Sequence, residues 1–362
     1  MSSIAIYRLP YQEHCTLVEQ SAGEPAELLS CSELNGCEGF VVAPFEVSPQ
    51  QPILLIRPDR VTRLPVGQLS GLAAGLADQF AAQEQFSGAY YAAQQAKGNY
   101  AIDFANFHAQ LQAGVFQKIV LARCVAHPRA EEVPPQALFQ KACQLYPRMF
   151  ICLVATPRSG VWLTATPEIL LQGQGRQWHT IALAGTMKMQ PSQLGLQDSE
   201  QGAAASWTVK DIREQRIVAT YVTECLEQFT GDFREEATRT VRAANLIHLR
   251  SDFTFTLPDA DHIGDLLLAL HPTPAICGLP KRETFKFIVQ NEHTPRRYYS
   301  GFMGMLSPKG DTDLFVSLRC MNITRNAYLL YAGGGLLTDS SAEQEWNETE
   351  AKLEVMRALI GG

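Results

Sequence analysis

The sequence predicts an α+β protein of antiparallel architecture. Two observations lead there. Strand-like runs outnumber helical ones along the 362 residues. Neighbouring runs are joined by turn sequences, PRSG at 157–160 and PKGD at 308–311, which read as hairpins rather than crossovers. A doubly wound parallel sheet is the arrangement this pattern disfavours.

The elements follow in order. Residues 4–9, 39–43 and 53–56 read as strands between Pro/Gly/Ser loops. Residues 71–85 are Ala-rich and predict a helix, and 88–98 reads as a junction. Nothing in 1–97 pairs polar groups for catalysis. That part is expected to be structural, to belong to the same fold and to cover one side of the sheet. Residues 98–362 are expected to hold the chemistry. There, 102–112 predicts a helix and FQKIVLARCVAHP a strand with Lys118 at its mouth. Residues 137–145 predict a helix, and 150–156 with 161–166 a hairpin that runs on into ATPEILL and Glu168. Residues 180–184 read as a strand ending in LAGT, and 188–202 as a mobile surface loop. Residues 206–229 predict a long helix with apolar Val209, Ile212, Val218, Val222, Cys225 and Phe229. DFTFTL alternates as a strand, and 262–270 is helical. RRYYSGFMGML and DLFVSLRCMNI read as two strands, the second with Arg319 inside it.

The C-terminal stretch YAGGGLLTDSSAEQEWNETEAK carries the densest chemistry. An apolar strand at 328–332 leads into Gly333, Gly334 and Gly335, where backbone can approach a ligand closely. Asp339, Ser340 and Ser341 are good caps for the helix that follows. On that helix Trp346, Thr349, Leu353, Met356 and Ile360 share the core face. Glu345, Glu348 and Lys352 form a stripe along its border, at spacings of three and four. A solvated Glu–Lys pair is the ordinary reading of such a stripe. The adjoining glycines favour a site for an anion and a cation.

Composition bounds the rest. Net charge is −7 with no basic run, which gives no support to a nucleic-acid partner. No apolar stretch approaches the length of a membrane span, and the start lacks the features of a secretory signal. The nine cysteines include no CxxC and lie mostly in apolar runs, so they read as reduced core residues of a cytoplasmic protein. Four carboxylates recur at element ends: Glu168, Glu214, Glu345 and Glu348. Glu214 and Glu348, on separate helices, have the oxygen chemistry that Mg²⁺ takes, although exposed surface is the commoner fate of glutamate. A buried Arg319 needs an anion, and a ligand carboxylate would serve. Lys118 by itself reads as a strand-end lysine, and His248 as either a core histidine or a ligand contact.

The ordered set KIVLAR, ATPEILL, LAGT, KDIRE, HPTPAICGLPK, RRYYSGFMG, AGGG and EWNETEAK resembles the chorismate-utilising enzymes over about residues 98–358. Two features resemble the isochorismate synthase branch: Lys118 in KIVLAR, and Ala275 in HPTPA where ammonia-using members typically carry threonine. KDIREQR departs from the family's frequent Glu-His, with Gln215 after Glu214. The resemblance implies a large α/β sandwich of antiparallel sheets with helices packed outside, and a Mg²⁺-dependent isochorismate synthase acting on chorismate, for menaquinone or siderophore biosynthesis. It implies Lys118 as the base that activates water and Glu168 as the acid that protonates the departing hydroxyl. It implies Glu214 and Glu348 as metal ligands, with Asp211 and Glu345 behind them. Gly185, Thr186, His248, Ala275, Ile276, Arg319, Gly333 and Lys352 are implied to bind substrate. A salicylate synthase that also eliminates pyruvate is the alternative. An anthranilate or aminodeoxychorismate synthase subunit is disfavoured by Lys118 and Ala275, so no glutaminase partner is expected. A monomer is the default, and a non-catalytic chorismate-binding protein the reading from another class.

Overall fold

Two antiparallel sheets share one core and carry helices on their outer faces. The computed structural model describes residues 3–69, 80, 93–129, 133–189 and 206–361. The helix expected at 71–85 and most of the loop expected at 188–202 lie outside them. Six α-helices occur among the described residues: α1 (Ala93–Gln112), α2 (Pro135–Leu145), α3 (Val209–Leu226), α4 (Ile263–Leu270), α5 (Lys281–Asn291) and α6 (Ala342–Ile360). No helix among the described residues is long and apolar enough to cross a membrane.

The first sheet runs from Gly278–Leu279 through Lys118–Pro128, Ala327–Leu336, Cys320–Ile323, Gly160–Thr166 and Phe150–Thr156 to Ser3–Arg8, His14–Gln20 and Arg60–Pro65. The second runs from Phe233–Glu235 through Leu246–Thr256, Gln177–Lys188, Ile169–Gln174, Thr312–Val316 and Phe302–Leu306 to Gly39–Ala43, Ile53–Ile56 and Ala26–Leu28. Strand Arg239–Ala243 pairs separately with Leu246–Thr256. The central strands are buried on both faces, which is why a run such as FICLVAT is continuously apolar, while edge strands such as Arg60–Pro65 and Ala26–Leu28 are partly exposed. Its Phe150, Cys152 and Val154 enter the core between the sheets, while Ile151, Leu153 and Ala155 face the helices outside. Phe150 stacks on Phe315 across the two sheets at 4.2 Å. Helices α2 and α6 pack on the outer face of the first sheet, and α3 and α4 on that of the second. Helices α1 and α5 pack together around Ile119 and Leu121 of strand Lys118–Pro128.

The N-terminal part does not cover one side of a sheet. Its strands complete both sheets, three in each, because their alternating apolar residues can pair with an open edge on either. Helix α1 runs through the division expected at 97/98. DLFVSLRCMNI is not one strand either. It leaves the second sheet at Val316 and enters the first at Cys320, with Arg319 at the corner in a left-handed conformation, φ +47°. A second crossover runs beside it, where Thr166 ends a strand of the first sheet and Ile169 starts one of the second. The two corners are tied together: the Val316 amide donates to Glu168 O at 2.9 Å and the Ala165 amide to Arg319 O at 3.2 Å. Val209 and Ile212 are exposed rather than part of an apolar face. They lie in the first turn of α3, beyond the sheet that Val218 and Val222 cover.

Candidate functional site

The site forms where the glycine strand, the two corners and two helix starts converge. Gly333, Gly334 and Gly335 are part of strand Ala327–Leu336 rather than a loop after it, since ten residues of it pair without a break with Lys118–Pro128. Their missing side chains let carboxylates from two helices come down on the strand. A Cβ at Gly335 would lie 2.1 Å from Glu214 Oε1 and 2.8 Å from Lys118 Cε. A Cβ at Gly334 would lie 3.2 Å from Glu345 Oε2 and 3.7 Å from Glu348 Oε1. Helix α3 delivers Glu214 after a capping box in which Thr208 and Asp211 bond each other's backbone amides. Helix α6, capped by Ser341, delivers Glu345, Glu348 and Lys352.

Each carboxylate has an ammonium. Lys118, fully buried, lies 2.9 Å from Glu214 Oε1. Lys352 donates to Glu348 at 2.7 Å and to Gly333 O at 2.8 Å. Lys210 contacts Glu345 Oε1. Burial pushes the Glu214 carboxyl up, but the ammoniums of Lys118, Lys352 and Lys210 outweigh it and hold it below its ordinary value. Glu345 is raised, by burial and then by the Glu348 charge. Glu345 Oε2 is buried without a hydrogen-bond partner, and so is the Lys118 Nζ in directional terms. Three carboxylates near two glycines, one with an orphaned oxygen, are the donor chemistry a hard divalent cation takes. Each is paired with a lysine, and among the described residues no three are drawn together as a ready-made metal cluster.

Across the cavity, His248 fixes Arg319. Its Nδ1 lies 3.0 Å from Gly185 O, so that nitrogen carries the proton and donates. Nε2 then accepts from the Arg319 guanidinium. Burial, then the charges of Arg319 and Lys352, push His248 well below its usual value and keep it neutral. Arg319 also donates to Ala243 O at 3.2 Å. Among the described residues no carboxylate lies within ion-pair distance of it. Burial lowers it to about 10 while Glu168 opposes. A buried cation held only by neutral groups is set for an anionic ligand. Gly185, φ +71°, makes the bulge that turns its carbonyl toward His248, and a Cβ there would meet Asp211 at 3.3 Å. Glu168, on the other corner, is 4% exposed. Burial raises it to about 7 against the pull of Lys118, Lys352 and Arg319, so a large share is protonated near neutrality.

These groups enclose a cavity of about 640 Å³, its solvent-filled mouth included. Glu168, Gly185, Thr186, Glu214, His248, Ala275, Ile276, Arg319, Gly333 and Lys352 line it. Lys118, Glu345 and Glu348 are not in the lining; they stand beside Glu214, Gly334 and Gly335. Asp211 is committed to its cap on Thr208. Two participants were not singled out from the sequence. Tyr299 lines the cavity, and its hydroxyl would be 2.7 Å from a Cβ at Gly333. It stands in RRYYSG beside Tyr298, and nothing in the pattern separates the two. Lys210 precedes Glu214 by one helical turn, a spacing that could have revealed it. Gly335→Ala is expected to lower kcat by roughly tenfold or more, a barrier change of about 1.4 kcal/mol. The added methyl must displace the Glu214–Lys118 pair. Circular dichroism should show the fold unchanged, and a wild-type rate would remove that pair from the chemistry.

Comparison with known proteins gives the family and the fold. The model of the family described as chorismate binding enzyme matches residues 68–361. The salicylate biosynthesis isochorismate synthase of Pseudomonas aeruginosa is 33% identical over 257 residues, 70% of this chain and 53% of that protein. Isochorismate synthase EntC of Escherichia coli is 28% identical over 245 residues, 67% of this chain and 62% of that protein. The matches thus span between half and two thirds of these relatives. The structure of MenF, the menaquinone-specific isochorismate synthase of Escherichia coli, superposes with a TM-score of 0.78 at 22% identity. It covers 99% of this chain and 88% of that one, a likeness of fold.

Proposed function

The chain belongs to the chorismate-binding enzyme family, and from that premise we propose that it is an isochorismate synthase. One observation carries the reading. A buried acid raised by burial to about 7, Glu168, lines a cavity flanked by Arg319 and Lys352, and a buried amine, Lys118, stands 2.9 Å from the lining residue Glu214. Lys118, an ammonium beside Glu214 in the resting site, must first give up its proton, and the neutral amine then takes one from water as the water oxygen bonds to C2 of chorismate. The ring double bond shifts, the C4–oxygen bond breaks, and Glu168 gives its proton to the departing hydroxyl. Arg319, oriented by His248, and Lys352 hold carboxylates. Thr186, Ala275 and Ile276 shape the pocket around the ring. Glu214 and Glu348 would hold Mg²⁺, with Glu345 behind them, while Asp211 caps the helix that carries Glu214. When bound, Mg²⁺ polarises the ring carboxylate and neutralises its charge. The reading takes the protein as a cytoplasmic monomer with reduced cysteines and no glutaminase partner. Its pathway, menaquinone or siderophore, is a matter for its genomic neighbours.

The test is chorismate with and without Mg²⁺, followed by chromatography. Isochorismate without pyruvate is expected. Pyruvate in equal amount would instead mean the salicylate-forming alternative, and unchanged chorismate would overturn both. Excess EDTA, like Glu348→Gln, is expected to remove turnover from a folded protein. Added Mg²⁺ should rescue the first and not the second.

A further inference from the structure

The carboxylate cluster already contains its own cations. Glu214, Glu345 and Glu348 contribute three negative charges, and Lys118, Lys210 and Lys352 three positive ones. The cluster is therefore neutral without any metal. The three lysines are not equivalent. Lys118 is rooted in a sheet strand and fully buried. Lys352 is held by a carbonyl as well as a carboxylate. Lys210 is 21% exposed at its side chain, and its single hydrogen bond within the cluster goes to Glu345. It also lies in the first turn of α3, where the helix dipole disfavours a cation. Its long flexible stem can carry the ammonium away at little steric cost. Glu345, by contrast, is 1% exposed and cannot follow.

We propose that Lys210 is a resident counter-ion that occupies Glu345 until a divalent cation arrives, and that it holds back metal binding to the enzyme without substrate. This deepens the isochorismate synthase reading and rests on its metal site. The charge balance explains the use. With Lys210 withdrawn, a divalent ion entering alone leaves the three carboxylates, Lys118, Lys352 and the facing Arg319 with two excess positive charges. A divalent ion entering with a dicarboxylate leaves them neutral. Lys210 therefore couples metal binding to substrate binding.

The experiment is a calorimetric titration of Mg²⁺ into wild type, Lys210→Gln and Lys210→Arg, each with and without chorismate. Glutamine keeps a hydrogen-bond donor for Glu345 and removes the charge, so the variant folds. Without chorismate, Lys210→Gln is expected to bind Mg²⁺ roughly tenfold tighter than wild type, and Lys210→Arg like wild type. The gain in Mg²⁺ affinity produced by chorismate should shrink in Lys210→Gln by the same factor. Unchanged or weaker Mg²⁺ binding by Lys210→Gln would overturn the proposal, and so would tighter binding by Lys210→Arg. If wild type with chorismate binds Mg²⁺ normally in either case, only the role of Lys210 is lost. If wild type with chorismate binds no Mg²⁺, the metal site itself is wrong and the proposal falls with it.

Discussion

Lys118→Ala is expected to abolish isochorismate formation while chorismate still binds. The residue is fully buried, and its amine meets the lining residue Glu214 without lining the cavity itself, so it adds little to holding the substrate. General base groups are typically worth about 10²–10⁴-fold in rate. Lys118→Gln should fail as completely, since it restores the size and polarity but no basic nitrogen. Lys118→Arg is the sharper variant. It keeps the charge beside Glu214, yet a guanidinium stays protonated and cannot take a proton from water. Chromatography of products, beside a chorismate titration for each variant, decides the matter. If Lys118→Arg forms isochorismate near the wild-type rate, the base is another group and water addition through Lys118 is wrong.

Glu168→Gln is expected to lower kcat by about 10²–10⁴-fold with a small change in affinity. The amide preserves the corner, because the Val316 bond goes to the Glu168 backbone, and removes only the transferable proton. The pH profile offers an independent reading. The carboxyl is raised to about 7 by burial, so the protonated acid dominates below that pH and is lost above it. Wild-type kcat/KM should therefore fall as pH rises through about 7, on the limb that reports the free enzyme's acid. A flat profile between pH 6 and 9, or Glu168→Gln within about threefold of wild type, would place the acid elsewhere.

Helix α6 shows what the sequence can carry. Its periodicity located the buried Thr349, Leu353 and Met356, and its border stripe located Glu348 and Lys352. Local spacing suffices there because every group stands on one element. Arg319 shows the opposite. Its apolar surroundings are visible in LFVSLRCM, and so is its need for an anion. The change of sheet at Ser317–Leu318 is not, because both halves of the run are equally apolar. Glu168 was legible as a strand-end carboxylate. Its partner corner lies some 150 residues away, and no local pattern records that pairing. Gln215, the departure from Glu-His, donates to Ser251 on the sheet behind α3 and leaves Glu214 free to face the cavity. Glu345 was placed at the border of its helix, yet it is buried, because α3 brings Lys210 over it.

The six N-terminal strands give the chain a property that motif analysis hides. The family match begins at residue 68, after the last of them. A chain trimmed to that match would keep every group assigned to chemistry. It would also bare strand Phe150–Thr156 in one sheet and strand Phe302–Leu306 in the other, two apolar edges with unpaired amides and carbonyls. The unit that can be recognised and the unit that can stand alone in water therefore differ. For this architecture modularity ends at the edge of a sheet, and the least chemically informative residues decide whether the informative ones remain in solution.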